Sequence, residues 1–184
     1  MTQRSIDAQK IYATIADHPL RGEWASTSLV GSRFYRGREN MQTTVKSILE
    51  KKGKDIWAVT PDTTVYDTIA FMSEKSIGAV VIMENGQLLG ILSERDYIRK
   101  VILEGRASKD TRADQIMTGK VIVAGSERTA EECMALMTDK RIRHLPIVDG
   151  ETVIGVVSLG DVVKAVIETR GLMIELLERY ITAP

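Results

Sequence analysis

The sequence predicts a mixed α+β/α/β fold. Two tandem β-α-β-β-α modules pack with pseudo-two-fold symmetry, between an N-terminal helical and loop arm and a C-terminal helix. Three observations lead there. Ser93 and Asp96 recur as Ser158 and Asp161, 65 positions further on. The same offset runs without a gap from Ile56/Val121 to Ile102/Ile167, and it leaves Thr64/Thr129, Ala70/Ala135, Met72/Met137, Lys75/Lys140, Ile77/Ile142, Ile82/Ile147 and Gly90/Gly155 identical. Within each copy, short apolar runs alternate with stretches of helical period. Self-similarity of this kind signals one supersecondary unit used twice, with two equivalent modules and two equivalent sites.

The elements follow in chain order. Residues 1–43 form the arm. Ala8, Ile11, Tyr12 and Ile15 recur at helical spacing behind Ser5, with Pro19 beyond them. The stretch Leu20–Asn40 has no period and reads as loop. The first module spans 44–106. A helix over Thr44–Lys51 uses Val45, Ile48 and Leu49, and a strand over Ile56–Thr60 stops at Pro61-Asp62. A helix over Thr64–Lys75 carries Val65, Thr68, Ile69 and Met72 on one face. The run Gly78–Met83 is apolar without alternation, as a strand buried on both faces requires. Asn85-Gly86 turns it into a partner strand, Leu88–Leu92, because both residues accept the positive φ of a tight hairpin. A helix over Glu94–Leu103 then runs to Gly105.

The second module, 107–169, repeats this order. A short helix lies over Ala113–Met117, a strand over Lys120–Ala124 and a helix over Thr129–Lys140. Strands Arg143–Val148 and Thr152–Val157 turn at Asp149-Gly150-Glu151, and a last helix starts near Leu159 and runs to about Thr169. In the tail, 170–184, Met173, Leu176, Leu177 and Tyr180 give an apolar stripe after Gly171. Such a stripe packs as core or as a subunit contact.

Composition narrows the function. Hydrophobic residues make up 43%, enough for a core. One repeat alone has the size of a marginal domain, so the copies are expected to bury apolar faces against each other. Lys+Arg and Asp+Glu are 25 each, which argues against a nucleic-acid binder, since that needs a basic excess or stripe. No apolar run approaches the ~20 residues that span a bilayer. Met1–Lys10 is polar, so no signal peptide is expected. The single cysteine, Cys133, excludes an internal disulfide and fits a reducing compartment. A cytoplasmic protein is expected, with no membrane or nucleic-acid partner.

The Ser-x-x-Asp motif has two chemical uses. Serine before a helix, with an acid three residues on, is a capping box in all but the identity of the acid. Both copies also follow a buried-type strand directly, where a loop opens at the sheet end. A carboxylate there suits a neutral polyhydroxyl partner, and the two O–H donors of a ribose cis-diol match its two oxygens. Serine and the helix N–H groups are then left for a phosphate. Basic groups appear once on each element. Arg95 has Gly160 as its equivalent, while Arg143 and His144 have Gly78 and Ala79. A two-fold arrangement points them into one cleft, giving a neutral protein a locally positive hollow. His144 serves equally as a satisfied core histidine or as a phosphate donor.

The β-α-β-β-α order, twice, resembles a tandem pair of CBS (cystathionine-β-synthase-type) domains, a Bateman module. The resemblance covers residues 44–168 and rests on the gapless duplication. It rests equally on Gly90-Ile91-Leu92-Ser93-Glu94-Arg95-Asp96, on Gly155-Val156-Val157-Ser158-Leu159-Gly160-Asp161 and on Arg143-His144-Leu145-Pro146. Small stand-alone bacterial pairs and their plant organellar relatives are the nearest type. The resemblance implies adenosine nucleotides, AMP, ADP, ATP or an NAD-type dinucleotide, bound between the modules with no metal. It implies that Asp161, Ser158 and Val156 face Gly53, Trp57, Ile77 and Gly78. It implies equally that Asp96, Ser93 and Ile91 face Thr118, Ile122, Ile142 and Arg143. Trp57 is a bulky occupant there, able to stack a base or to block it.

Other chemistry is sparse. Cys133 lies on the Ala130/Cys133/Met134/Met137 helix face, the position of a small core residue. His18 and His144 are isolated, with no second ligand at metal spacing. There is no P-loop, no Gly-x-Gly-x-x-Gly and no nucleophile–base pairing. Arg33–Arg38 interleaves basic and aromatic residues, a pattern of a solvated loop or of a contact to RNA or an acidic partner. The expected function is a non-catalytic, homodimeric regulatory module. The alternative is a nucleotide-independent dimeric scaffold that docks on a metabolic or redox enzyme.

Overall fold

The computed structural model describes residues 43–53 and 55–182. The expected arm helix, the loop to Asn40 and the Arg33–Arg38 run lie outside them. Helix α1 covers Val45–Lys52, capped by Thr44, whose side chain accepts a hydrogen bond from the Ser47 N–H. Strand β1 (Ala58–Val59), helix α2 (Val65–Lys75), strands β2 (Ala79–Glu84) and β3 (Gln87–Ser93) and helix α3 (Glu94–Tyr97) follow, and α3 widens into a π-helical turn over Ile98–Ile102. Helix α4 (Ala113–Ile116) leads the second copy, with β4 (Ala124–Gly125), α5 (Ala130–Asp139), β5 (His144–Asp149), β6 (Thr152–Ser158) and α6 (Leu159–Thr182).

Each copy contributes a three-stranded sheet with the same order, β1-β2-β3 and β4-β5-β6. The first pair in each is parallel and the second antiparallel. The hairpins match pair for pair: Ala79 opposes Ser93 in one and His144 opposes Ser158 in the other, and the register shifts at Ile82/Met83 and at Ile147/Val148. Asn85 and Gly86 both have positive φ, 50° and 80°, the geometry expected of this turn. Strand β1 is shorter than the expected Ile56–Thr60, because only Ala58 and Val59 find partners on β2. Helix α6 runs unbroken through Gly171. Good helix formers on both sides offset the cost of about 1 kcal/mol that an interior glycine carries. The stripe's backbone is therefore helical, while the side chains of Met173, Leu176, Leu177 and Tyr180 lie outside the described residues.

Three apolar clusters hold the chain together. Val65, Met72, Val80, Ile82, Leu92 and Val101 form one with Ala113 and Ile116. Ala130, Cys133, Met137, Leu145, Ile147 and Val157 form another with Val45, Ile48 and Leu49. The short helix that opens each copy thus packs on the core of the other copy. The exchange is reciprocal down to the backbone. Val45 N–H donates to the Arg128 carbonyl and Ala130 N–H to the Thr43 carbonyl, while Ala113 N–H donates to Thr63 and Val65 N–H to Thr111, all at 2.8 Å. Glycine makes room at both crossings. A Cβ on Gly155 would lie 2.7 Å from Leu49 Cδ2, and one on Gly90 would collide with the Met117 thioether.

The third cluster joins the sheets. Val81, Leu88, Val121, Val123, Val148 and Val153 pack across the interface between the copies. This is why β2 reads as a continuous apolar run. Val80 and Ile82 enter the core under the helices, and Val81 enters the core between sheets.

Two helices end in a strained residue. Ser76 and Arg141 occupy equivalent positions after α2 and α5, each with φ of 54°. That left-handed conformation costs a non-glycine residue about 1–2 kcal/mol. Ser76→Gly should therefore raise stability by up to ~1 kcal/mol, after subtracting the greater freedom of glycine in the unfolded chain. Urea denaturation measures it, and a loss of stability would contradict this account of the helix end.

Candidate functional site

The two Ser-x-x-Asp motifs lie where β3 and β6 run into helices. At the first, Ser93 Oγ donates to Asp96 Oδ2 at 2.6 Å, Ser93 N–H donates to the same oxygen at 3.1 Å, and Asp96 N–H donates back to Ser93 Oγ at 3.3 Å. At the second, the corresponding distances are 2.8, 2.7 and 3.2 Å. Both motifs are thus complete capping boxes. Both also open into a hollow between the copies.

The Asp161 cavity measures about 410 Å³ and the Asp96 cavity about 280 Å³. Ligand pockets typically run ~300–1,000 Å³, so the first is ample and the second just large enough for a small ligand. The cavities share a wall made of Gly78 and His144. Gly78 has to be small there, since a Cβ on it would approach two atoms of the His144 ring to 3.2 Å. The 65-residue equivalence puts Gly78 against Arg143 and Ala79 against His144, so the repeat diverged at the point where its two copies meet.

Asp161, Ser158, Val156, Gly53, Trp57, Ile77 and Gly78 all line the larger cavity, as the resemblance implied. Asp96, Ser93, Ile91, Arg95, Thr118, Ile142 and Arg143 line the smaller one, and His144 lines both. Ile122 lines neither and packs instead beside the second module's core. Trp57 is a wall and not a plug. It packs edge-on against Phe71, with centroids 5.8 Å apart, and Lys75 Nζ lies 5.2 Å from its ring centre.

Sequence reasoning missed several wall residues. Lys52, Asp55, Ser76 and Ala79 complete the larger cavity, and Glu94, Arg99 and Arg141 the smaller. Lys52 Nζ donates to Asp161 Oδ2 at 2.7 Å and to the Val156 carbonyl at 3.2 Å. Lys100 Nζ lies 2.9 Å from Asp96 Oδ1. That pair, four residues apart on one helix, was legible as an i,i+4 ion pair. The floors differ too. Ile91 and Thr118 exchange backbone hydrogen bonds at 3.1 and 2.8 Å, whereas the carbonyl of Val156, the equivalent of Ile91, is met by Lys52.

Burial pushes both carboxyls up, but the hydrogen bonds outweigh it. Bonds from Ser93 and Lys100 hold Asp96 below the ordinary carboxylate value of 3.8, and bonds from Lys52 and Ser158 hold Asp161 below it. Burial and the nearby Lys52 ammonium pull His144 below its ordinary 6.5, against the opposing pull of Glu94 and Asp161. All three groups therefore bind protons more weakly folded than unfolded, so stability rises with pH across their ranges. On acidification the His144 contribution falls away first, below 6.5. The carboxylate contributions follow as pH drops through 3.8 towards the folded values. Urea midpoints measured from pH 7 to 3 should decline in these two stages, and a midpoint that rises on acidification would contradict the geometry. Burial, with Glu132 nearby, raises the Cys133 thiol to about 11, so it is an inert core group. Among the described residues, no group of three or more His, Cys, Asp or Glu is placed to hold a metal. No described helix is long and apolar enough to cross a membrane.

The sequence profile of the CBS domain matches residues 45–103 and again 113–168. The chain belongs to the CBS-domain family. It is 41% identical over 149 residues to the mitochondrial CBS domain-containing protein CBSX3 of Arabidopsis thaliana, covering 76% of this chain and 72% of that one. A CBS-domain protein of Burkholderia ambifaria shares its fold with a TM-score of 0.66 at 48% identity, over 68% of this chain and 95% of that one. The CBS pair of protein MJ0100, solved in complex with 5′-methylthioadenosine and S-adenosyl-L-methionine, is alike in fold. Its TM-score is 0.59 at 24% identity, over 67% of this chain and 94% of that pair. Two CBS repeats, two three-stranded sheets and their helices thus agree with the fold read from the sequence.

Proposed function

We propose that this CBS pair is a non-catalytic regulatory module. It binds adenosine nucleotides, AMP, ADP, ATP or an NAD-type dinucleotide, in the cleft between its copies, and signals by changing the packing of the modules or of a homodimer. One observation carries this reading: Asp96 and Asp161 line adjoining cavities that share Gly78 and His144. Carboxylates on either side of a central histidine suit ribose hydroxyls outside and phosphate between. The walls Trp57, Ile77 and Ile142 suit a flat base. The MJ0100 pair is a precedent of fold, seen with adenosine compounds in that protein.

A ligand shifts packing only by binding one arrangement more tightly than another. The cleft lies beside the valine cluster between the sheets, so occupancy and module packing are mechanically linked. Exposed Ile98, Ile102, Val163 and Ile167 stand at equivalent positions on α3 and α6, and they supply an apolar face for a second copy. In each cavity the serine hydroxyl is bonded to the carboxylate of its own capping box, a structural use that suits a sensor better than an enzyme. A cytoplasmic setting goes with this reading, Cys133 being free and buried.

Calorimetry of the nucleotide-stripped protein with AMP, ATP, NAD and GMP tests the proposal. Heat with the adenine ligands supports it, and no heat with any of them rejects it. A phosphate beside His144 should also favour its protonated form. Nucleotide binding should then take up a proton near pH 7, seen as a heat that varies with the buffer's ionisation enthalpy. A second reading is favoured by the completed capping boxes: a nucleotide-independent dimeric scaffold that docks on a metabolic or redox enzyme. Purification of a stable complex whose denaturation releases no nucleotide would favour the scaffold.

A further inference from the structure

We propose that the N-terminal arm folds back onto the end of α6. The amphipathic segment Ala8–Ile15 lies along the helix line of Met173, Leu176 and Tyr180, as a contact within one chain. This surface stands apart from both cavities, so the contact needs no nucleotide.

The second half of α6 leaves the body of the protein. The first half packs into the second module's core through Val162, Ala165 and Val166. Beyond Thr169, every described side chain from Arg170 to Ile181 is exposed. This overhang is ~20 Å long at 1.5 Å per residue. Helices in proteins hold mainly through a packed apolar face, and intrinsic propensity contributes little. The helical period gives the overhang two such faces. Ile174 and Ile181, 58 and 78% exposed, extend the outer line of Val163 and Ile167, the one offered to a second copy. Met173, Leu176 and Tyr180 extend a different line, that of Val162, Ala165 and Thr169. In the body this inner line is buried, and its apolar character continues where the body stops.

Helix α1 covers the inner line within the body, and it runs antiparallel to α6. Lys52, at its end, donates to Asp161 Oδ2 at 2.7 Å, while Thr43, before its start, has Oγ1 2.6 Å from Thr169 Oγ1. Between them Val45, Ile48 and Leu49 share a cluster with Val162, Ala165 and Val166. Thr43 is fixed by its backbone as well, since Ala130 N–H donates to its carbonyl at 2.8 Å. Followed towards the N terminus, α1 thus delivers the chain to the point where the overhang begins, on the line that the overhang continues. Residues 1–42 lie upstream of that point, and among them Ala8, Ile11, Tyr12 and Ile15 recur at helical spacing between Ser5 and Pro19. A helix there would match the overhang in length, and its apolar stripe needs the same cover. Residues 16–42 can span up to ~90 Å when extended, so the tether reaches every turn of the overhang. A tethered segment also competes at an effective concentration on the order of mM, well above what a second copy supplies.

Amide hydrogen exchange on the full-length chain tests the contact. Residues 170–182 should be protected, and equally so at low and at high protein concentration. Changing Ile11→Asp and Ile15→Asp together should quicken their exchange roughly tenfold or more, because the contact would then have to bury two carboxylates. Protection of β5 and β6 should not change, since the arm is no part of their core. Ile11→Leu with Ile15→Leu should keep the tail protected. Tail amides that exchange freely in the native chain, or that ignore the aspartate pair, would overturn the proposal. Protection that fades on dilution would put a second copy on the inner line and overturn it equally.

Discussion

Replacing Asp161 with alanine is expected to weaken adenosine binding by roughly 10- to 150-fold. That is the range for loss of hydrogen bonds to a charged partner, about 1.5–3 kcal/mol. The Asp161 carboxylate stands at the clamp and offers two acceptor oxygens to a diol. Its described hydrogen bonds, from Ser158 N–H, Ser158 Oγ and Lys52 Nζ, all fall on Oδ2. The substitution also removes the N3 half of a capping box, and some folding stability with it. The two effects separate cleanly. Ser158→Ala removes the side-chain cap and keeps the carboxylate, so it should lower stability while leaving most of the affinity. 2′-Deoxyadenosine should bind the native protein less well than adenosine, and should lose little further affinity to Asp161→Ala. Equal affinity for both nucleosides would contradict the role given to the carboxylate.

Truncating Leu49 to alanine is expected to destabilise the chain by about 2–5 kcal/mol, the usual cost of emptying a buried leucine site. Leu49 is 2% exposed and fills the space above Gly155. The location of the damage is the sharper part of the expectation. Leu49 precedes the first strand of the first copy, yet it packs with Leu145, Ile147 and Val157 of the second. Amide exchange should therefore quicken first in β5 and β6, before β2 and β3. Ile116→Ala should give the mirror result, since Ile116 packs with Val80, Ile82 and Leu92. Loss of protection confined to each residue's own half would contradict the exchange of helices.

That exchange marks the boundary of what the sequence made legible. The repeat, the caps at Thr64, Thr129, Ser93 and Ser158, and the Asn85-Gly86 turn depend on residues a few positions apart, where spacing carries the physics. The helix faces were legible for the same reason: Val65, Thr68 and Met72 are buried at helical spacing, as are Ala130, Cys133 and Met137. The partner of α1 was not. Its apolar face fits either copy equally well, and only the three-dimensional crossing at Gly155 selects one. The clamps and most of their walls came together through the family resemblance. Lys52 stayed hidden because the bond it makes to Asp161 spans 109 positions and crosses from one copy to the other. Ile122 came with the same resemblance, and it packs beside the second module's core instead.

A crystal structure of the chain grown with saturating AMP tests the central claim most directly. The account predicts a ribose whose 2′ and 3′ hydroxyls lie within about 3 Å of the Asp96 or Asp161 carboxylate, with the phosphate directed towards His144. AMP bound elsewhere on the surface, or both cavities free of nucleotide at saturation, would contradict it.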